Sequence, residues 1–585
     1  MPDITYKSPQ EELIVRINKE KKVARDFQER RHENFNDNYE LYRNKVKTNR
    51  LTQRQAVNIP LMKETIKTLL SKIDDPPSVV WKELDGEREK EIILQAKWDD
   101  DFDKNNFEGL DIQDKKTTLL YGRAFKKLNY ANNAFKVHAL DIFDTVVDPL
   151  VDPLDIETAR FLTHQNIFKT LRQILADKRY DNKAKNELKT YLTTNDAIIQ
   201  SGDNKEELDK KQERLMAMGV NASDFNEFSA GDTILNLSEH YTKLWNPQKK
   251  KFEWYIVTCV NDRVMLLKES LNDLLGIDFL PFVSWGEDVE TQDIWSDGPA
   301  DLVRTPNKVL NVWFSQMLEN RTLKNFQMHW YSPESNYTPQ SYEPGPGRML
   351  PSPPVPQGKS IQDVLMPVAV SGLEDTLTQI EFLIKLVESG TAATAIEKGV
   401  SEKKQITLGE VQTLVGKAME RTVSMAKFYR RSWEELANKW YRILDANEGG
   451  NTSKTLYKTS SKGAIWPKKT YGRDWKSKAG FKAVVQSSSE QESEQTAGIQ
   501  KMFFVKNQFP DNPALSKIIQ KRVLELVDLT PEEIRQVEEF EKKKEQMAEQ
   551  AMEQGQLPPQ GQPQPPPEEN QMLGNIQEKV NMLSQ

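Results

Sequence analysis

The chain has 585 residues, 37% hydrophobic and 29% charged, with 81 Lys+Arg against 88 Asp+Glu for a formal charge of −7. At roughly 150 residues per domain this length excludes a single small module, and the modest apolar content describes a chain with much surface for its mass, elongated or multimeric. Its one cysteine, Cys259, excludes an intrachain disulfide, and with no Cys/His cluster spaced for zinc the expected compartment is a reducing one.

The opening text, MPDITYKSPQEELIVRINKEKK, carries charges where an export signal needs an apolar core. No apolar run approaches the ~18 residues of a membrane span, so no membrane partner is expected. Residues 10 to 50 are dense in charge, with Leu13, Ile17, Phe27, Phe35, Tyr39 and Tyr42 loosely at helical intervals, which predicts helices with one wet face. After Asn58-Ile59-Pro60 the run LMKETIKTLLSKI predicts a helix stopped at Asp75-Pro76-Pro77. Further helix over 87–129 runs into LLYGRAFKKLNY, where Gly122 sits inside a helix or at its turn into a strand; short strands follow to Val147.

Residues 201 to 232 are polar and acidic and predict a connector or exposed helix. From 238 to 269 the runs HYTKLW, FEWYIVTCV and RVMLLKE, joined at Asn246-Pro247 and Asn261-Asp262, predict a small antiparallel sheet. Thr305 as a cap and Pro306 in the first turn predict a helix over 306–323, with Val309, Leu310, Trp313, Phe314, Met317 and Leu318 on one apolar face. The proline-dense stretch 325–370 excludes regular helix. Ser371 and Glu374 then make a capping box for a second helix with Leu373, Leu377, Ile380, Ile384 and Val387 as its stripe and Gly390 as its stop. A long helix over 406–446 follows, then Lys- and aromatic-rich strands over 454–486, helices over 498–550, and a Gln/Pro-rich tail expected to be disordered. The fold class expected is α+β, mainly helical.

Chemistry is sparse. No phosphate loop, nucleophile elbow or zinc-protease motif occurs, so no enzyme and no cofactor are expected. Asp141, Asp144, Asp148, Asp152 and Asp155 could hold a divalent metal, but their spacing with Pro149 and Pro153 fits turn chemistry better. Glu287, Asp288, Glu290, Asp293, Asp297 and Asp301 read as acids ahead of a helix start rather than as an acid/base pair. His32, His138, His164, His240 and His329 lack ligand spacing, and Cys259 in a β-rich run reads as core. The basic, aromatic stretch 454–482 could touch nucleic acid or be a wet sheet face.

The order of elements, two helices flanking a proline-rich excursion and then a long helix behind a mixed α/β region, resembles the portal proteins of tailed bacteriophages. The text carrying the resemblance is Asn58-Ile59-Pro60, LLYGRAFKKL at 119–128, HALDIFDTVVDP at 138–149 and PFVSWGEDVETQDIWSDGPADLVRTPNKVLNVWFSQMLEN at 281–320, together covering roughly residues 55 to 450.

The resemblance implies a homo-oligomeric, dodecameric ring at one capsid vertex, located in the virion and in host cytoplasm during assembly. Double-stranded DNA would pass through its channel; terminase large subunit, a tail adaptor and major capsid or scaffolding protein would be partners. The implied divisions are an N-terminal helical segment (1–55), a wing (56–298 with 406–486), stem helices (299–324 and 371–390), a clip (325–370), a tunnel loop (391–405), a crown (487–550) and a disordered tail (551–585). Lys398, Lys403 and Lys404 would then meet DNA, Trp330, Tyr331, Tyr337 and Tyr342 would dock terminase or adaptor, and Val309, Trp313, Phe314, Met317, Leu377, Ile380 and Ile384 would pack the stem. A negative net charge suits a conduit that must not grip phosphate. The rival readings are a scaffolding or internal head protein and, less favoured, a metal-dependent nuclease using the 141–155 aspartates.

Overall fold

The computed structural model describes residues 9–44, 58–73, 77–84, 88–194, 234–325, 329–331, 355, 357–358, 360, 362, 365–368, 376–391, 408–449, 453–459 and 465–486. The connector at 201–232, most of the 391–405 loop, the helices expected over 498–550 and the Gln/Pro tail lie outside these residues.

The charged N-terminal text forms one continuous helix, α1 (Pro9–Tyr42), rather than several. It has the expected wet face and lies along the body on separate apolar contacts: Leu13 and Ile17 against Val257 and Cys259, Ala24 against Val146 and Phe161, and Phe35 and Leu41 in the main core. Polar contacts fill the gaps. Lys21 Nζ reaches Asp262 at 2.6 Å, Gln28 donates to the Ile142 carbonyl at 2.8 Å and Asn38 to the Leu120 carbonyl at 2.9 Å.

Helix α2 (Leu61–Leu70) buries Leu61, Ile66 and Leu69 as its spacing predicts, but ends at Ser71, well short of Pro76. The reason is local: Lys72 N donates to the Leu69 carbonyl and Ser71 Oγ to the Thr68 carbonyl, tightening the last turn. The helical stretch from 87 divides into α3 (Arg88–Lys104) and α4 (Phe107–Tyr121), because Asn106 takes a left-handed conformation (φ 49°) and caps α4 by accepting from Gly109 N. Gly122 resolves to the turn: at φ 82° it closes α4 and starts β2 (Arg123–Ala131).

Strand β1 (Ser78–Glu83), not foreseen in the sequence, pairs antiparallel with β14 (Phe481–Gln486) from the far end of the described chain. Strands β2 and β3 (Ala134–Leu140) form a hairpin through Asn132 and Asn133, both at positive φ as a tight hairpin turn requires, and β9 (Phe282–Gly286) completes a sheet of order β3-β2-β9. The predicted antiparallel sheet exists as β6 (Ile234–Asn246), β7 (Lys251–Val260) and β8 (Val264–Ser270), turning where expected, and is extended by β4 (Thr145–Val147) and β5 (Phe161–Thr170) to the order β4-β5-β6-β7-β8. Its faces divide by strand alternation. Leu244, Val257, Cys259 and Met265 lie under α1, while Tyr241, Trp254 and Ile256 face the main core. Small helices α5 (Leu171–Ala176), α6 (Asn182–Thr194) and α7 (Leu271–Leu275) border it.

The first of the long helices, α8, runs over Pro299–Asn325, so Thr305-Pro306 is interior and not its start. Asp301 explains the earlier beginning. Its Oδ2 accepts from Gly298 N at 3.0 Å in the first turn, where Pro299 needs no hydrogen-bond partner for its nitrogen. Asn38 donates to its Oδ1 at 3.1 Å, and Arg31 and Arg304 also bind it. Pro306 therefore removes one hydrogen bond inside the helix, that of the Leu302 carbonyl.

In the stretch from 325 to 370, a short ribbon forms from β10 (His329–Tyr331) and β11 (Leu365–Pro367). Helix α9 (Thr376–Thr391) follows with Gly390 inside its last turn rather than after it; Ser371 and Glu374 lie outside the described residues. Helix α10 (Leu408–Asn447), at 1.5 Å per residue roughly 60 Å long, delivers Tyr429, Trp433 and Trp440 to an aromatic centre with Trp81, Trp98 and Phe107. Strands β12 (Ser453–Thr459) and β13 (Ile465–Tyr471) and a helical turn α11 (Gly472–Trp475) then lead to β14. The class is α+β, as expected.

Candidate assembly surface

Helix α8 is anchored to the body over its first half. Asn307 Oδ1 accepts from Met62 N at 3.0 Å and Asn311 Oδ1 from Ile59 N at 2.8 Å, so the Asn-Ile-Pro text serves to anchor α8. Ala300, Val303 and Leu310 are buried on the same stretch. Beyond Leu310 no α8 residue is fully buried, and the helix is accompanied by α9.

The apolar residues of this pair do not form one stripe. Ile380 and Val387 of α9 are buried, with Ile384, Trp313 and Phe314 half-buried against the core. Val309 and Met317 are also half-buried. Leu377 departs from the stripe expected of it: it is 57% exposed, because it stands in the first turn of α9, ahead of the buried contacts. Phe382, 68% exposed, and Leu386 point about half a turn away from Ile380 and Ile384, giving α9 a second apolar face directed at solvent. Val312, Leu318 and Leu323 of α8 are exposed as well. The sequence text EFLIKLV held the signal for the second face, since five apolar residues in seven exceed what one helical stripe can carry.

At the end of the pair, Trp330 stands opposite Met366 across the β10–β11 ribbon, and both are exposed. Tyr331 stands opposite Leu365. Tyr337, Tyr342, Lys398, Lys403 and Lys404 lie outside the described residues. Burying a large apolar side chain is worth roughly 1.5–3 kcal/mol. A helix pair with this many exposed ones gains stability from any partner that covers it.

The other candidate groups are engaged structurally. Asp141, Asp148, Asp152 and Asp155 each accept from a backbone N–H two residues on, the turn chemistry their spacing predicts. Asp148 also takes the Arg160 guanidinium on both oxygens at 2.7 Å; burial pushes its acidity down, but those bonds outweigh it and hold its pKa below the usual carboxylate value. Asp144 accepts from Asn166 at 2.8 Å. Among the described residues no group of three or more His, Cys, Asp or Glu is placed to hold a metal. Cys259 is buried, its thiol pushed up to about 12 by burial, and His240 is buried between Thr163 and Glu20. No described helix is long and apolar enough to cross a membrane.

No family model matches the chain, and no curated protein matches it. Among solved structures it is similar to a chain from the neck of an empty GTA particle computed with C6 symmetry, at 9% identity and a TM-score of 0.33, over 79% of this chain and 89% of that one. A likeness that slight does not establish a shared fold.

Proposed function

We propose that this chain is a subunit of a phage portal: a ring at one capsid vertex through which genomic DNA is packaged and ejected, and on which terminase and then tail proteins dock. The observation that carries the reading is the second apolar face of α9, where Phe382 and Leu386 are exposed on a helix already buried on its other side. A helix apolar on two sides is covered on two sides, and repetition of one subunit around an axis supplies the second cover. The order of elements supports it, since an α/β body gives out a helix, an aromatic ribbon, a returning helix and a long helix. In this reading α8 and α9 are the stem and Trp330, with the tyrosines beyond it, belongs to the docking clip. Lys398, Lys403 and Lys404 meet DNA weakly, as suits a strand that slides. The chain acts as a conduit and not as an enzyme.

Native mass measurement with negative-stain imaging tests it. Wild-type protein should form large closed rings with a central hole. Phe382→Ser with Leu386→Ser should lower the oligomer yield while the circular dichroism of the subunit stays unchanged. Monomer alone from the wild type across micromolar concentrations would remove the reading.

A further inference from the structure

The main sheet ends in a second exposed apolar feature, on elements separate from the α8–α9 pair. Trp245 and Phe252 face each other across β6 and β7 with ring centroids 5.2 Å apart, on the sheet face that buries Tyr241, Trp254 and Ile256 further along. They are the next rung of the core face, carried past the edge of the body, and are 53% and 67% exposed. The turn beyond them holds three successive lysines, 249 to 251, of which Lys249 and Lys251 pair with Glu253.

A separate surface carries complementary chemistry. The outward stripe of α3 presents Ile92, Asp99 and Asp103, and the outward side of α4 presents Glu108 and Ile112; all five are exposed. These residues stand away from α10, because the inner sides of the two helices pack on it through Trp98 and Phe107. The hairpin is linked to a different side of α10. Arg442, about half a turn around that helix from Trp433 and Trp440, bonds Asp278 at 2.6 Å. Lys439 bonds Glu157 at 2.6 Å, and Lys243 of β6 donates to the Glu157 carbonyl at 3.1 Å.

A basic aromatic knob and an acidic aliphatic face on separate sides of one packed body do not meet within it, and copies arranged head to tail could bring them together. We infer that the Trp245–Phe252 hairpin of one copy docks on the α3–α4 face of the next, a second contact between neighbouring subunits at the level of the α/β body. It rests on the ring reading above. The apolar rung supplies the buried centre, and the lysines and carboxylates form a polar rim that sets partner and direction.

The test pairs Gln248→Cys with Gln113→Cys, both exposed and beside the proposed contact rather than in its apolar centre, in the full chain and treats it with a short bismaleimide; native Cys259 is buried and silent. The double variant should give a ladder of covalent oligomers and each single variant none. Changing Lys249, Lys250 and Lys251 to Glu should cut the ladder several-fold, and adding Asp99→Lys and Asp103→Lys should restore it. Imaged rings without a ladder would overturn this contact and leave the ring reading standing. Monomers alone would overturn both.

Discussion

Trp440 Nε1 donates to Asp101 Oδ2 at 3.0 Å, joining the long helix α10 to α3 in the centre of the body. Both residues are buried, so the indole bond is one of those that keep a carboxylate soluble in the core. Trp440→Phe keeps the aromatic packing against Trp98 and removes the donor. It should lower stability by about 1–3 kcal/mol, read as a lower melting temperature in calorimetry. Adding Asp101→Asn, which removes the buried charge, should recover part of the loss; no recovery would mean that the hydrogen bond is not what holds the two helices.

Gly122 tests the junction between α4 and β2. Its φ is 82°, and a Cβ there would stand 2.0 Å from the Ser296 carbonyl oxygen, a backbone atom that cannot step aside. Gly480 has a similar φ of 87° with nothing within 4 Å of the same position. Gly480→Ala should therefore cost only the conformational penalty, about 1–2 kcal/mol. Gly122→Ala should cost well beyond that and sharply reduce soluble yield, which expression and melting comparisons of the two variants measure.

Glu239 governs acid stability in the main sheet. Burial raises its pKa, but the charge and hydrogen bond of Lys127, with smaller help from His164 and Arg179, outweigh burial and hold it at about 2. A carboxylate depressed by folding contributes stability that is complete above its unfolded value and is lost as pH falls through the folded one. The loss should run from about pH 4.5 to about 2. Glu239→Gln should be less stable than wild type at pH 7, where Lys127 loses its counter-charge, and the difference should shrink across that window in pH-dependent melting.

Glu287 should act in the opposite direction. Burial, and then the charge of Asp288, push it up to about 8, so the folded state holds its proton more tightly than the unfolded chain does. Its favourable contribution is complete below the unfolded value near 4.5 and is lost as pH rises through about 8. Glu287→Gln should melt with wild type at pH 4 and above it at pH 9. Equal melting temperatures at both would show that the carboxyl ionises freely in the folded protein.

Local patterns settled much of the architecture. Alternation and turn residues located the hairpins of the main sheet, because Asn246-Pro247 and Asn261-Asp262 punctuate runs whose side chains alternate between two faces. Helical periodicity located α2, α9 and α10, and aspartates spaced between prolines announced turns in which each binds a backbone N–H nearby in sequence. All of these depend on residues within a few positions of one another.

What the tertiary structure decided depends on partners distant in sequence. Thr305-Pro306 has the local chemistry of a helix start, yet α8 begins earlier because Asp301 is fixed by Asn38 and Arg31, more than 250 positions away. The pairing of β1 with β14 brings together strands that neither local propensity nor spacing can match. The exposure of Phe382 and Leu386, like that of Trp245 and Phe252, follows from where the body ends: an apolar residue reads the same in sequence whether its cover lies in its own chain or in a neighbour, and only the packed fold shows which cover is missing.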